Sequence, residues 1–131
     1  MADLTVHIVT PERAVYSGFA SDVRLPGWNG EMQVLPEHEV LLSLLRGGIV
    51  QITTPAGPLR YVVGRGFAEV TGGQVTLLAD HCESADEGID KGAAQATMQE
   101  CERRLGEIQE DTPEWDAISE EREIAVARLM A

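Results

Sequence analysis

The fold is decided by a nine-residue stretch, Gly30–His38, which reads GEMQVLPEH. The preceding Asn29-Gly30 pair is of the type that supplies the positive φ angles of a tight hairpin turn. Met32 and Val34 then fall on one face of an extended segment, and Pro36 ends it because proline cannot donate to a strand ladder. The stretch therefore predicts a turn followed by a short strand at the rim of a β-sheet.

The same β pattern extends through residues 1–84. Ten of the 13 glycines lie before residue 85, and short turn signals such as Gly72-Gly73 recur between apolar segments. Apolar residues alternate at period two in three segments, Leu4–Ile8, Val23–Leu25 and Gln74–Leu77. Many short half-buried strands separated by such turns are typical of an antiparallel sandwich or barrel. We therefore expect a first domain, residues 1–84, that is an antiparallel β-sandwich.

The pattern becomes helical after Asp86, and we expect a second domain over residues 85–131. One apolar stripe with spacings of four and three consists of Ala94, Met98, Cys101, Leu105 and Ile108. A second stripe consists of Ile118, Ala125 and Leu129, with Trp115 near its start. Asp90 and Thr112 are suitable N-caps, and Pro113 suits a first helical position. The tail is predicted to be an antiparallel two-helix hairpin, which must dock on the sandwich, on itself or on a partner to be stable.

Composition excludes several classes of function. The net charge is −12, divided into −4 for residues 1–84 (5 basic and 9 acidic side chains) and −8 for residues 85–131 (5 and 13). Nucleic-acid binding and direct binding to anionic lipid are not expected, because both need clustered basic residues. Two cysteines are too few for a disulfide framework, and no apolar stretch approaches the roughly 20 residues that cross a bilayer. We expect no export signal, because Met1–Asp3 does not begin a basic region followed by an apolar core.

Candidate chemistry is sparse. The segment Asp80-His81-Cys82-Glu83 contains every side-chain type that zinc sites use, but neighbours in an extended segment point to opposite faces and cannot converge on one ion. For the same reason His81 does not activate Cys82 as a nucleophile. Cys101 lies on the apolar stripe and is interpreted as core. The Gly64–Phe67 segment lacks the spacing and following helix of a phosphate loop. No catalytic, metal-binding or confident cofactor-binding residue is assigned.

The order of these motifs resembles the epsilon subunit of F-type ATP synthases. The resemblance rests on Gly30–His38, Ser17-Gly18, Gly47-Gly48 and Val75–Asp80, on the change from strands to helices, and on total length. It implies a non-catalytic central-stalk (rotor) subunit that links the gamma subunit to the membrane c ring and couples proton translocation to ATP synthesis. It also implies a C-terminal hairpin that changes between a docked form and an extended form reaching the alpha/beta catalytic head, where it regulates ATP hydrolysis.

The resemblance assigns partner contacts to the opening stretch. Taken alone, Glu31 and His38 are interpreted as solvated surface. In epsilon subunits the matching residues meet the polar loops of the c ring, so the resemblance implies that they are rotor contacts. Trp28 has two readings, an aromatic anchor at that edge or a ring folded back over the sandwich end.

A nucleotide-binding signature of some bacterial epsilon subunits is only partly present. Ile89, Asp90 and Ala94 match it, whereas Ala93 replaces the expected arginine and removes a forked phosphate donor. We therefore expect no ATP binding and interpret Asp90 as a helix cap. The few basic residues of the tail also form no continuous basic face, so strong inhibition of hydrolysis is not expected.

The resemblance implies a location on the cytoplasmic face of the bacterial inner membrane, reached only through the complex. One alternative is a free-standing β-sandwich that binds a small ligand or carbohydrate, although this would need an exposed aromatic platform. Another is a small hydrolase or metal-dependent enzyme, which would need converging ionisable groups.

Overall fold

Ten strands and two helices form within the residues that the structure, a computed structural model, describes, namely 3–37 and 40–131. The strands are Leu4–Val9 (β1), Ala14–Ala20 (β2), Asp22–Gly27 (β3), Gly30–Val34 (β4), Leu41–Leu45 (β5), Gly48–Thr54 (β6), Gly57–Val63 (β7), Gly66–Thr71 (β8), Gln74–Ala79 (β9) and Cys82–Ser84 (β10). The helices are Lys91–Leu105 (α1) and Pro113–Met130 (α2).

The strands form one nearly closed sheet in the order β10-β7-β6-β3-β5-β8-β9-β1-β2, with β4 paired to β3. The edge strand β2 approaches β7 through Tyr16 and Tyr61, whose ring centroids lie 6.2 Å apart. The predicted antiparallel sandwich is confirmed, with one exception. β1 and β9 pair in parallel, and this pairing joins Thr5 to Gln74.

The core follows the alternation that the sequence shows. Leu4, Val6 and Ile8 of β1 are fully buried, and so are Val23 and Leu25 of β3. Each large apolar side chain buried in this way contributes about 1.5–3 kcal/mol relative to an exposed position. The interior of the sandwich therefore supplies a rigid frame for the loops at its ends.

The β3–β4 turn differs from its prediction by one residue. Trp28 and Asn29 are the central residues, because Gly27 pairs with Gly30 across the hairpin. Gly30 has a φ of 134°, whereas Asn29 does not have a positive φ. A Cβ on Gly27 would lie 2.6 Å from the carbonyl oxygen of Gly30. The glycine at this position lets the two strands close directly after Gly27 and moves the turn back by one residue.

The helix ends agree with the sequence at three of four points. Asp90 accepts a hydrogen bond of 3.0 Å from the backbone nitrogen of Ala93, and Thr112 accepts one of 3.1 Å from Trp115, so both predicted N-caps are confirmed. Pro113 begins α2 as predicted. The inclusion of Ile108 in the first helix was wrong, because α1 ends at Leu105, before Gly106, a poor helix former.

The hairpin is docked on the sandwich through α2. The ammonium of Lys91 donates to the carbonyl of Ala131 at 2.7 Å, which places the start of α1 beside the end of α2. α2 packs on β6 and β7, while α1 packs on α2. Ala127 is buried in a small apolar cluster with Val62 and Ala85. Neither described helix is long and apolar enough to cross a membrane.

Candidate functional site

Four loops meet at one end of the sandwich, and we call this region the loop end. Backbone hydrogen bonds of 2.9 Å join the loops in pairs. Trp28 donates to Leu44 and Arg46 to Pro26, while Gly64 donates to His81 and Asp80 to Arg65. The loop end is therefore a connected surface made of Trp28-Asn29, Arg46-Gly47, Gly64-Arg65 and Asp80-His81.

Trp28 stands at the rim of the loop end. Its side chain is 42% exposed, and the guanidinium carbons of Arg46 and Arg65 lie 5.1 Å and 5.0 Å from the ring centroid. Such distances are within the range of cation–π attraction. The two arginines therefore cover part of the ring, while the rest of it remains an exposed aromatic surface at the rim.

Glu31 lies exposed at the start of β4, opposite Pro26 in the ladder. Together with Trp28 it lines a cavity of about 650 Å³ between the turn, the start of β6 and α2. The structure thus brings two of the three expected partner contacts to one corner of the molecule. The third, His38, lies outside the described residues.

Glu123 of α2 is the central carboxylate at the loop end. Its Oε1 accepts hydrogen bonds from the backbone nitrogen of Gly47 at 2.8 Å and from Nε of Arg65 at 3.1 Å. Its Oε2 accepts from Nη2 of Arg65 at 3.0 Å and from Arg46 at 3.4 Å. Burial alone would raise the pKa of Glu123, but the hydrogen bonds from Arg65 and Gly47 outweigh burial and hold the pKa below its ordinary value.

Glu120 lies one turn earlier on α2 and reaches the neighbouring loop. Its Oε2 accepts the backbone N–H of Arg65 at 2.7 Å. Burial raises the pKa of Glu120, the hydrogen bond from Arg65 opposes this, and the nearby carboxylate of Asp80 raises it further. Arg65 therefore binds both glutamates through different atoms: its backbone N–H donates to Glu120, and its guanidinium donates to Glu123.

A third contact between helix and sandwich involves Glu83 of β10. Its Oε1 accepts from Nη2 and Nε of Arg128 at 2.6 Å and 3.0 Å, and it also hydrogen-bonds to the ring of His81. Burial raises the pKa of Glu83, but Arg128 and His81 lower it more, so the net shift is downward. His81 and Glu83 share one face of the segment, as strand alternation predicts, while Cys82 is buried between them.

The remnant of the nucleotide signature lies beside this contact. Ile89 is half-buried against the apolar cluster, and the carboxylate of Asp90 caps α1. A cavity of about 220 Å³ is lined by Glu83, Asp90, Ala93 and Arg128, among others. Arg128 is already paired with Glu83, so two carboxylates face one guanidinium, which offers a nucleotide phosphate no net positive charge.

An exposed apolar stripe crosses β5, β8 and β9, and we define it as Leu42, Leu44, Phe67 and Leu78. Leu44 pairs with Phe67 and Phe67 with Leu78, so these three side chains are neighbours across the sheet. They are 64%, 39% and 36% exposed. Adjacent large apolar side chains on an outer sheet face are typical of an interaction surface. The stripe lies on strands other than β6 and β7, where α2 docks.

The described residues, 3–37 and 40–131, contain no group of three or more His, Cys, Asp or Glu arranged to hold a metal ion. Cys82 and Cys101 are both buried. Burial raises the pKa of Cys82 to about 11. A thiol with so high a pKa is almost wholly protonated at neutral pH and is a poor nucleophile.

Sequence reasoning missed the residues that organise the loop end. The segment Gly64–Phe67 was considered only as a phosphate loop, and Glu120 and Glu123 were counted only in the net charge of residues 85–131. Their spacing of three on one helix places both carboxylates on the same face, which was the available sign that they act together. Their partners lie more than 50 positions away in the chain, and helix periodicity carries no information on such contacts.

Comparison with known proteins agrees with this architecture. The family model of the ATP synthase delta/epsilon chain β-sandwich domain matches residues 3–85. The chain is 40% identical over 108 residues to the ATP synthase epsilon chain of Brevibacillus brevis, a match that covers 82% of this chain and 81% of the relative. It is 39% identical over 134 residues to the epsilon chain of Moorella thermoacetica, with 100% and 97% covered.

A solved structure has the same fold at lower identity. It is a chain of the mitochondrial ATP synthase of Euglena gracilis, in the OSCP/F1/c-ring assembly in rotational state 1. The TM-score is 0.79 at 21% identity, with 97% of this chain and 79% of that chain covered. The family assignment rests on sequence, namely the match to the family model and the identity with the two epsilon chains, and not on the shared fold alone. This chain belongs to the ATP synthase epsilon chain family.

Proposed function

We propose that the chain is a non-catalytic central-stalk subunit of an F-type ATP synthase, which links the gamma subunit to the c ring and couples proton translocation to ATP synthesis. One observation carries the proposal. The apolar stripe and the helix-binding strands β6 and β7 are separate surfaces of one sandwich, and the β3–β4 turn lies at the loop end, next to both. A subunit that transmits torque between two partners needs such separate contact surfaces on a frame that does not deform.

The gamma subunit is proposed to bind the apolar stripe. Protein interfaces bury a central apolar patch surrounded by a polar rim. Leu44 and Phe67 form the centre of such a patch, and Glu69 of β8, which pairs with Leu42, supplies a polar neighbour. Because α2 docks on other strands, gamma binding and helix docking do not compete for these residues.

The c ring is proposed to meet the β3–β4 turn through Glu31 and Trp28, with His38 nearby in sequence. Trp28 offers an aromatic surface at the rim and Glu31 an exposed carboxylate. Exposed ion pairs contribute only about 0–1 kcal/mol each. Contacts of this kind suit an interface that fixes orientation while gamma supplies most of the affinity.

The two parts of the chain have different proposed roles. Residues 1–84 form the clamp, and residues 85–131 form a regulatory hairpin that leaves the sandwich to reach the alpha/beta catalytic head. The helix contacts include three ion pairs, from Arg46 and Arg65 to Glu123 and from Arg128 to Glu83, and such contacts can form and break reversibly. Through its partners the subunit lies at the cytoplasmic face of the bacterial inner membrane.

The proposal is tested by measuring affinity for the gamma subunit of the same organism. Leu44→Glu, in the stripe, is compared with Phe19→Glu, which changes an apolar side chain of equal exposure (64% and 65%) on β2. We expect Leu44→Glu to weaken binding at least about tenfold, because burying an unpaired carboxylate at an interface centre costs well over 1 kcal/mol. Phe19→Glu should bind like the wild type.

Equal loss in both variants would show that the stripe is not the gamma surface. A wild-type chain that bound neither gamma nor the assembled catalytic head would refute the rotor proposal. The free-standing ligand-binding sandwich would then be the better reading, with the cavity beside Trp28 as its first candidate site. The c ring contact is tested separately with Glu31→Lys, which should lower proton-driven ATP synthesis while affinity for gamma stays unchanged.

A further inference from the structure

We propose that the loops Arg46-Gly47 and Gly64-Arg65 form a receptor for paired carboxylates. In this structure α2 fills the receptor with Glu120 and Glu123. When α2 leaves, the receptor binds another acidic helical segment with the same spacing. The inference rests on the departure of α2 proposed above, but it does not depend on which surfaces of the sandwich bind gamma or the c ring.

The receptor has two subsites, one for each carboxylate. The first subsite holds Glu123 with the backbone N–H of Gly47 and the fork of Arg65, at 2.8 to 3.1 Å, and with Arg46 at 3.4 Å. The second subsite holds Glu120 with the backbone N–H of Arg65 at 2.7 Å. The carboxylate of Asp80 lies beside it, and this neighbour together with burial raises the pKa of Glu120, so the second subsite binds a carboxylate less strongly than the first. A fork combined with a fixed backbone donor is the arrangement that recognises carboxylates with directional specificity.

Two glycines leave the space that the carboxylates occupy. A Cβ on Gly47 would lie 2.7 Å from Cβ of Glu123, and a Cβ on Gly64 would lie 2.7 Å from Oε2 of Glu120. Neither glycine has a φ in the left-handed region, so backbone geometry does not require glycine at these positions. At Gly47 the close approach of Glu123 accounts for the glycine. At Gly64 a Cβ would also lie 3.2 Å from Cβ of His81, so both Glu120 and the neighbouring loop crowd this position.

The ligand that fits is a helix with glutamates at positions i and i+3. Residues three apart lie on one face of a helix, and Glu120 and Glu123 reach two different loops from that face. Glu121 lies between them in sequence but is exposed, so a third acid at this place adds nothing to recognition. The receptor therefore distinguishes the spacing of charges and not merely their number.

Departure of α2 leaves strong donors without acceptors. Arg65 is about one-fifth exposed and Glu123 about one-eighth, so the pair is substantially shielded from water in the docked form. The apolar part of the contact is the cluster of Ala127, Val62 and Ala85, with Ile49, Ile89 and Ile124 packed against it. The charges of Arg46 and Arg65 identify the next occupant as an acidic helix.

The test uses the full chain carrying Glu120→Gln and Glu123→Gln, which removes both carboxylate charges from the receptor while keeping side-chain size. The probe is a fluorescein-labelled peptide of residues 113–131, and binding is followed by anisotropy. We expect the double variant to bind the peptide and the wild-type chain, whose receptor is occupied, to bind it at least about tenfold more weakly, since charged hydrogen bonds carry the contact. Far-ultraviolet circular dichroism of each protein checks that the sandwich is folded.

A second comparison varies only the peptide and uses the same protein throughout, so a folding defect of a protein variant cannot cause the difference. A peptide with Gln at both 120 and 123 should bind at least about tenfold more weakly than the unchanged peptide, whereas Gln at 121 should have no effect. Equal binding of all three peptides would overturn the proposal, because binding would then rest on α1 or on apolar contact. Absence of peptide binding to the double variant would also overturn it, whether the neutral helix stays docked or the receptor fails to bind.

Discussion

Gly47→Ala is the sharpest perturbation of the docked helix, because it adds one methyl group and changes no charge. The added Cβ would lie 2.7 Å from Cβ of Glu123, whereas carbon atoms in contact lie about 3.5–4.0 Å apart. α2 must therefore retreat by roughly 1 Å at this point. Such a retreat lengthens the 2.8 Å bond from Gly47 to Glu123 beyond hydrogen-bonding range.

The cost follows from these two effects. A lost hydrogen bond to a charged group costs about 1.5–3 kcal/mol, and remaining overlap adds about 1 kcal/mol. We expect the docked position to lose about 2.5–4 kcal/mol, which lowers the docking equilibrium roughly 60- to 700-fold. The sandwich core should keep its stability, because Gly47 lies in a loop with no left-handed φ.

Hydrogen exchange followed by mass spectrometry measures this effect directly. Amides of α2 whose exchange requires undocking should exchange faster by the same factor, while β1 and β9 remain protected. Gly92→Ala is the matched control, because the closest neighbour of its added Cβ is Asp90 Oδ1 at 3.4 Å and alanine favours a helix. If Gly47→Ala left the protection of α2 at the wild-type level, close approach at Gly47 would not govern docking.

Three further outcomes are expected. Docking should weaken as the pH falls below about 4.3, the ordinary pKa of glutamate. The pKa values of Glu83 and Glu123 are lowered in the docked form, so their contribution to docking is lost as the pH falls through those values. Glu120 has a raised pKa and opposes this loss, and hydrogen exchange of α2 over a pH series measures the net effect. Cys101, 2% exposed, should resist alkylation by iodoacetamide until the hairpin opens, and rapid labelling of the native chain would contradict the packing of α1 on α2. Thr112→Ala should lower helix stability by about 1 kcal/mol through loss of the cap, measured by thermal unfolding, with Thr112→Ser near wild type.

Local patterns predicted most of the fold. Alternation in Leu4–Ile8 predicts a half-buried strand, and Asp90 and Thr112 predict helix starts, because each depends on neighbours within a few residues. The turn at Trp28-Asn29 was misplaced because a nearby glycine, Gly27, permits closure one residue earlier. Errors of this size arise where two local preferences compete.

Contacts between distant segments were not predictable in the same way. On α2 the residue buried against Val62 and Ala85 of the sandwich is Ala127, a small residue that helix periodicity does not mark as core. The pairing of Arg65 with Glu123 joins a strand turn to a helix and appears only when both are in place. Trp28 and Glu31 could be placed at one corner because they are close in sequence, whereas their role as partner contacts stays a prediction.

The parallel pairing of β1 with β9 affects the order in which the chain is completed during synthesis. The hairpin β1–β2 leaves the ribosome first, but the inner edge of β1 has no ladder partner until residues 74–78 have been made. Until then that edge is open to strands of neighbouring nascent chains, which is the usual route to aggregation. The first strand translated thus gains its second ladder partner late. A pause in translation before Gln74 should therefore lengthen the period in which the nascent chain needs chaperones.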